Sequence, residues 1–210
     1  MGSADRRPLK SRGSGWAQAL AGALARSPVT PNQISVASIA FAGAGAAALL
    51  CWRTPAGLVL CALCVQLRLL CNLLDGMVAV EGGKGSPAGA LYNEFPDRIA
   101  DSLFLVALGH GAGLPWLGWL CALLAALTAY VRVTGASLGL AADFRGPMAK
   151  PQRMAVLTLA CLAAALELHL RGSVHALLVG AALIAAGSAL TCATRTVAIA
   201  TQLRAKAATP

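Results

Sequence analysis

The sequence predicts an all-α integral membrane protein, six transmembrane helices preceded by an interfacial amphipathic helix. Three observations carry that prediction. The chain of 210 residues is 58% hydrophobic and only 12% charged, with a mean hydropathy of +0.70, and a soluble domain needs more polar surface than this. Its apolar runs are about 20 residues long, the length a helix needs to cross a bilayer core. Aromatic residues make up 5% and period-two alternation is absent, so a β-barrel is excluded.

Residues 1–13 are basic and broken by Gly and Pro, and read as disordered. No apolar stretch there precedes a small-residue cleavage site, so no cleavable signal peptide is expected. Residues 14–27, SGWAQALAGALARS, carry an amphipathic pattern with Trp16 at one end, suited to a helix in the membrane interface. TPNQIS, Thr30 to Ser35, opens the first span, with Thr30 as cap and Pro31 in the first turn. The six spans are expected near 33–52, 56–80, 98–114, 116–141, 154–170 and 174–200. GGKGSP (Gly82 to Pro87) and DFRGPMAKPQRM (Asp143 to Met154) are expected as polar loops. The organisation is therefore a tail and interfacial helix over 1–30, a membrane domain over 31–203 and a second tail over 204–210.

Basic residues set the orientation. Arg6, Arg7, Lys10, Arg12 and Arg26 precede the first span, and Arg204 and Lys206 follow the last. Lys84, Lys150 and Arg153 fall in loops on the same side, against Arg53 and Arg171 on the other. The positive-inside rule places both termini in the cytoplasm. The net charge of +9 then reads as topology and attraction to anionic headgroups. No basic stripe on a soluble domain points to nucleic acid. Abundant Ala, Gly and Arg with little Lys suggests a bacterial chain from GC-rich DNA, hence the cytoplasmic membrane. The seven cysteines, Cys61 and Cys64 included, read as small packing residues in apolar helices.

Against this background, five of the eight carboxylates lie between Asp75 and Asp101. Asn72 and Asp75 are three apart on one face of span two, and Arg68 shares that face. Asn93, Asp97 and Asp101 follow one another at intervals of four. A carboxylate in a low-dielectric setting needs a partner or a cation. One reading pairs Asp97 and Asp101 with Arg98, Arg132 or Arg68. The other has oxygens from two helices holding a hard divalent ion such as Mg²⁺. With Gly76 and basic loops nearby, the second reading points to a phosphate-bearing substrate.

The stretch NLLDGMVAV, eight residues, then GALYNEFPD resembles the signature of the CDP-alcohol phosphotransferases, D-x-x-D-G-x-x-A-R, about eight residues, then G-x-x-x-D-x-x-x-D. Asp75, Gly76, Ala79, Gly89 and Asp97 match it, and TPNQIS resembles the family's opening to its first span. Asn72 and Asn93 stand where the signature has Asp, and Val80 where it has Arg. A second register takes PDRIAD as the end of the signature, which would make Asp97 and Asp101 the last two aspartates. It needs four more loop residues and puts Asn93 where Gly belongs, so Asp101 is a second-line candidate.

The resemblance implies a six-span enzyme of phospholipid synthesis that moves a substituted phosphate from a CDP-alcohol, such as CDP-diacylglycerol, to an acceptor alcohol and releases CMP. It implies Asp97 as general base, and Asp75, Asn72, Asn93 and Asp97 as ligands of one or two Mg²⁺ or Mn²⁺ ions. Gly76, Ala79 and Gly89 would give the nucleotide room. Lys84 or Arg132 would replace the phosphate contact of the missing signature Arg. Lys150 and Arg153 would draw an anionic acceptor such as an inositol or glycerol phosphate. Arg132, inside span four, is expected on a phosphate or on Asp101. Family members are commonly dimers, and the Ala- and Gly-rich faces permit close helix contact. His110, His169 and His175 receive no catalytic role. The alternative is a degenerate relative that binds lipid or nucleotide, or transports, without turnover.

Overall fold

The computed structural model describes residues 13–208, and the basic residues of the first twelve positions lie outside them. Among the described residues there are seven helices and no strand: α1 (Gly15–Arg26), α2 (Pro31–Cys51), α3 (Pro55–Val80), α4 (Gly89–Gly111), α5 (Pro115–Ser137), α6 (Lys150–Arg171) and α7 (His175–Ala207). Five of them, α2, α3, α5, α6 and α7, are long and apolar enough to cross a membrane, which makes this an integral membrane protein. The remaining one of the six expected spans, the third in order, corresponds to α4, which has 23 residues, but Glu94, Asp97, Arg98 and Asp101 crowd its N-terminal part.

Two compact units divide within α4, one ending at Phe104 and the other starting at Leu105. In the first, α1 lies against α3. Ala17 and Ala21, one turn apart, are buried among Cys71, Leu74, Met77 and Val78, while Trp16 on the other face is 57% exposed. Both span-forming helices of this unit begin alike. Thr30 forms a capping box with Gln33, Thr30 Oγ1 accepting from the Gln33 amide at 3.3 Å and Gln33 Oε1 accepting from the Thr30 amide at 2.9 Å, with Pro31 in the first turn. Thr54 accepts from the Gly57 amide at 3.2 Å, followed by Pro55. Each arrangement satisfies amides that a helix start leaves without partners, and uses proline where no amide is needed. Between α2 and α3, Gly45 permits contact so close that a Cβ there would sit 2.8 Å from that of Cys64.

In the second unit, α7 packs on α5 and α6. Gly180 lies on Ala160, and Gly109 lies on the backbone of Gly118, the small-residue contact that apolar helices use in lipid. The turn from α6 to α7 runs through Gly172 at φ 70°. Glu167 closes it, accepting from Ser173 Oγ at 2.7 Å and the Ala176 amide at 2.9 Å, with His175 Nδ1 also at 2.9 Å.

The boundaries correct three expectations. Helix α4 starts at Gly89 rather than near 98, because Asp97 and Asp101 find a buried cation and the helix carries them inside. It does so despite Pro96 in its interior, which lacks one backbone donor. Lys150 and Arg153 lie in the first turns of α6 rather than in a loop. Helix α7 continues to Ala207 and has 33 residues, about 50 Å at 1.5 Å per residue.

Candidate functional site

The acid cluster lies within the first unit, on α2, α3 and the first half of α4. Arg68, Asn72 and Asp75 fall on one stripe of α3, as their spacing requires. Arg68 is completely buried, and Asp75, Asp97 and Asp101 are 4%, 6% and 1% exposed. One guanidinium nitrogen, Arg68 Nη2, donates to Asp101 Oδ1 at 2.6 Å, to Asp97 Oδ1 at 3.2 Å and to the Asp97 carbonyl at 3.3 Å. Asn72 Nδ2 donates to the same Asp97 oxygen at 2.7 Å. Asp75 Oδ2 accepts from Ser35 Oγ on α2 at 2.6 Å. Arg98 Nη2 lies 3.1 Å from Glu94 and 4.0 Å from Asp97 Oδ2.

Charge-assisted bonds of this kind hold side chains to fixed positions, and the low surrounding dielectric strengthens them. Removing either partner of a buried pair strands the other charge. The cluster is therefore rigid and joins α3 to α4 through two neighbouring stripes. Arg68 Nε and Nη1 are buried with no hydrogen-bond partner among the described residues.

Of the residues expected to hold a metal, the structure brings Asn72 onto Asp97 and places Asp75 one turn further along α3. Asn93, one turn before Asp97, is exposed. Carboxylate and amide oxygens suit Mg²⁺ or Mn²⁺. Among the described residues, however, no three His, Cys, Asp or Glu side chains converge to hold an ion. The donor set fits an ion that takes much of its coordination from water and substrate phosphate, as Mg²⁺ commonly does.

Gly76 and Ala79 are half-buried on α3, and Gly89 opens α4 with its amide on the Ser86 carbonyl at 2.9 Å. The Lys84 ammonium donates to the carbonyls of Ser27 at 2.5 Å, Val29 at 3.2 Å and Leu24 at 3.4 Å. It thus caps the C-terminal end of α1, where carbonyls lack partners and positive charge is favoured. Asp101 takes Arg68 as its ion partner. Arg132 has its guanidinium carbon 5.7 Å from the centre of the Phe144 ring, a cation–π distance.

The second unit holds a group of basic residues of its own. Arg153, 1% exposed, donates through Nη1 to Thr128 Oγ1 and to the Met148 carbonyl, each at 3.2 Å. Arg195 on α7 donates to the carbonyls of Thr128 at 2.7 Å and Arg145 at 2.8 Å. The Met148 amide is held by Thr191 Oγ1 at 2.9 Å. Gly146, at φ 117°, lies so close to Thr191 that a Cβ would fall 2.5 Å from its methyl group. The segment joining α5 to α6 is thus strapped to α7. Lys150 is the first residue of α6.

Sequence reasoning missed Ser35 and Arg195, and treated Arg68 as one of several possible counter-ions. The signals were present. Arg195 is a lone cation in an apolar run, and Ser35 ends the TPNQIS motif.

The family model described as CDP-alcohol phosphatidyltransferase matches residues 28–202. The chain is 35% identical over 111 residues to the bifunctional IPC transferase and DIPP synthase of Rubrobacter xylanophilus, a stretch that makes up 53% of this chain and 23% of that relative. It is 36% identical over 138 residues to archaetidylinositol phosphate synthase of Aeropyrum pernix, 65% of this chain and 69% of that relative. The chain thus spans under a quarter of the first relative and about two thirds of the second. The fold is similar to that of phosphatidylinositol phosphate synthase from Mycobacterium tuberculosis with CDP-DAG bound, at a TM-score of 0.71 and 24% identity over 89% of this chain and 94% of that one. The same enzyme with manganese and citrate gives a TM-score of 0.71 and 24% identity over 88% and 89%. At that identity the likeness speaks for fold alone.

Proposed function

The chain belongs to the CDP-alcohol phosphatidyltransferase family, and from that membership we propose that it transfers a phosphatidyl-like group from a CDP-linked lipid to an acceptor alcohol, releasing CMP. The single observation that carries this reading is the fixed contact of Asn72 with Asp97 at 2.7 Å, which joins the two halves of the signature. In the reaction the acceptor hydroxyl oxygen bonds to the lipid-side phosphorus of the pyrophosphate, and the bond from that phosphorus to the bridging oxygen breaks. The electron pair leaves on CMP.

Asp97 takes the hydroxyl proton, as a carboxylate held within reach of a nucleophile does. Asp75 and Asp97, with Asn72 and Asn93 as weaker donors, are the residues that would hold Mg²⁺ or Mn²⁺. Such an ion supplies charge neutralisation for the pyrophosphate and the departing CMP. Gly76, Ala79 and Gly89 leave space beside α3 and at the start of α4. Lys150 and Arg153, with Arg195 holding the segment before them, are the groups we assign to an anionic acceptor, in keeping with the inositol phosphate chemistry in the names of the relatives. The protein sits in the bacterial cytoplasmic membrane with both termini in the cytoplasm, and works as a homodimer.

One observation favours a second reading, a lipid- or nucleotide-binding protein without turnover. Asp97 Oδ1 already accepts from Arg68 and Asn72, and Asn72, Asn93 and Val80 depart from the signature. Purified protein incubated with CDP-diacylglycerol, Mg²⁺ or Mn²⁺ and a panel of alcohols decides between them. Release of CMP with one acceptor supports the transferase; retained CDP-lipid binding with no CMP from any acceptor supports the second reading.

A further inference from the structure

Arg68 has no place in the signature, yet it is the most deeply engaged side chain of the site. Its guanidinium is inaccessible to solvent, and a single nitrogen reaches both carboxylates of α4, Asp97 at 3.2 Å and Asp101 at 2.6 Å. Beside it Asn72 turns its amide nitrogen to Asp97. An amide facing a carboxylate at that distance must present N–H, so the contact is donation rather than lone-pair repulsion.

We propose that Arg68 is a resident cation of the site, supplying the positive charge that a second metal ion would bring, so that this chain takes one divalent ion only. The inference rests on the transferase reading for the purpose of the ion, but the charge argument is independent of turnover. The four carboxylates of Asp75, Glu94, Asp97 and Asp101 with the two guanidinium groups of Arg68 and Arg98 leave an excess of two negative charges, which one divalent ion neutralises. Four aspartates, as in the signature, need two. Replacement of aspartate by Asn72 and Asn93 and retention of a buried arginine thus work in one direction. A second ion beside Arg68 would meet a like charge in a low-dielectric setting and would compete with it for the same two carboxylates. Asp101 is then the counter-ion of Arg68, and its position four residues after Asp97 serves that pairing.

The test counts ions. The full chain, purified in detergent, is titrated with MnCl₂ and followed by electron paramagnetic resonance. We expect one Mn²⁺ bound per chain and, at saturation, the six-line spectrum of an isolated ion. Arg68→Lys, which keeps the charge, should also bind one. The double variant Arg68→Gln, Asn72→Asp, which removes the cation and restores a carboxylate, should bind two and show the broadened spectrum of a closely spaced pair. Two ions in the native chain, no ion in it, or one ion in a folded double variant overturns the proposal. Should the double variant fail to elute as folded protein, the native chain and Arg68→Lys decide the matter, two ions in either overturning it. Native protein that binds one ion but releases no CMP would sink the transferase reading and leave this one standing; two ions with CMP release would do the reverse.

Discussion

Arg68 on α3 and Asp101 on α4 form a 2.6 Å ion pair in which neither side chain is more than 2% exposed. That pair fixes the middle of α4 to α3, where Asp97, Ala100 and Asp101 are buried although Leu91, Tyr92 and Phe95 before them are exposed. Without the guanidinium, Asp97 and Asp101 would stand as two like charges largely out of water, which is costly unless a cation replaces it. Arg68→Leu is therefore expected to destabilise the protein by about 3–5 kcal/mol, the range for breaking a buried pair from one side. Thermal unfolding in detergent checks this. The change should be smaller when Asp101→Leu is added, since the second substitution removes the stranded charge.

Asp97→Asn is expected to lower CMP release at least 100-fold, within the range a general base contributes, while CDP-diacylglycerol binding changes only a few-fold. Initial rates alongside a lipid-binding measurement separate the two effects. An active Asp97→Asn with an inactive Asp101→Asn would move the signature to its second register.

Asp75→Asn should act on binding rather than on the proton. The Mn²⁺ needed for half-maximal binding of CDP-lipid is expected to rise about tenfold or more, because a carboxylate ligand becomes a neutral amide. Ser35→Ala should shift it in the same direction by less, since Ser35 only orients Asp75 through its 2.6 Å bond. Titrations of both variants against the native chain give the order.

Arg195→Ala is expected to raise KM for an anionic acceptor without a matching rise for a neutral one. Its bonds to the Arg145 and Thr128 carbonyls hold the segment before α6, and Lys150 and Arg153 follow directly. Kinetics with one charged and one uncharged alcohol test this. A KM that moves equally for both would mean that the arginine is structural only.

Gly146→Ala should destabilise the same segment. A Cβ at φ 117° is strained in itself and would collide with Thr191. Faster proteolytic cleavage between α5 and α6 is the expected readout, with thermal unfolding falling in parallel.

Much of this was legible in the sequence, for identifiable reasons. The Thr30–Pro31 start of α2 is local chemistry, and the cap forms as written. The amphipathic α1 follows from spacing, and Ala17 and Ala21 are indeed its buried face. Asn72 and Asp97 could be linked because a signature preserves spacing. The expected start of α4 near 98 is too late: the intervals of four between Asn93, Asp97 and Asp101 already carry a helical period, and the helix begins at Gly89, ahead of the apolar run that marks a span. Lys84 is expected on a phosphate because the signature Arg is replaced by Val80 and a nearby loop cation could stand in for it. Its three carbonyl partners, Leu24, Ser27 and Val29, lie in the last turn of α1 and just after it, 55 to 60 residues earlier, and no sequence window joins them. Arg195 was passed over because the basic residues were counted for orientation, which ignores a cation lying within a span.

The ammonium of Lys84 leaves one mechanical consequence. It moors the segment joining the two halves of the signature to the far end of a helix whose Trp16 faces outward. Any displacement of that helix is passed to this tether as well as to α3, on which Ala17 and Ala21 pack. The lipid surroundings thereby acquire a handle on the connector itself.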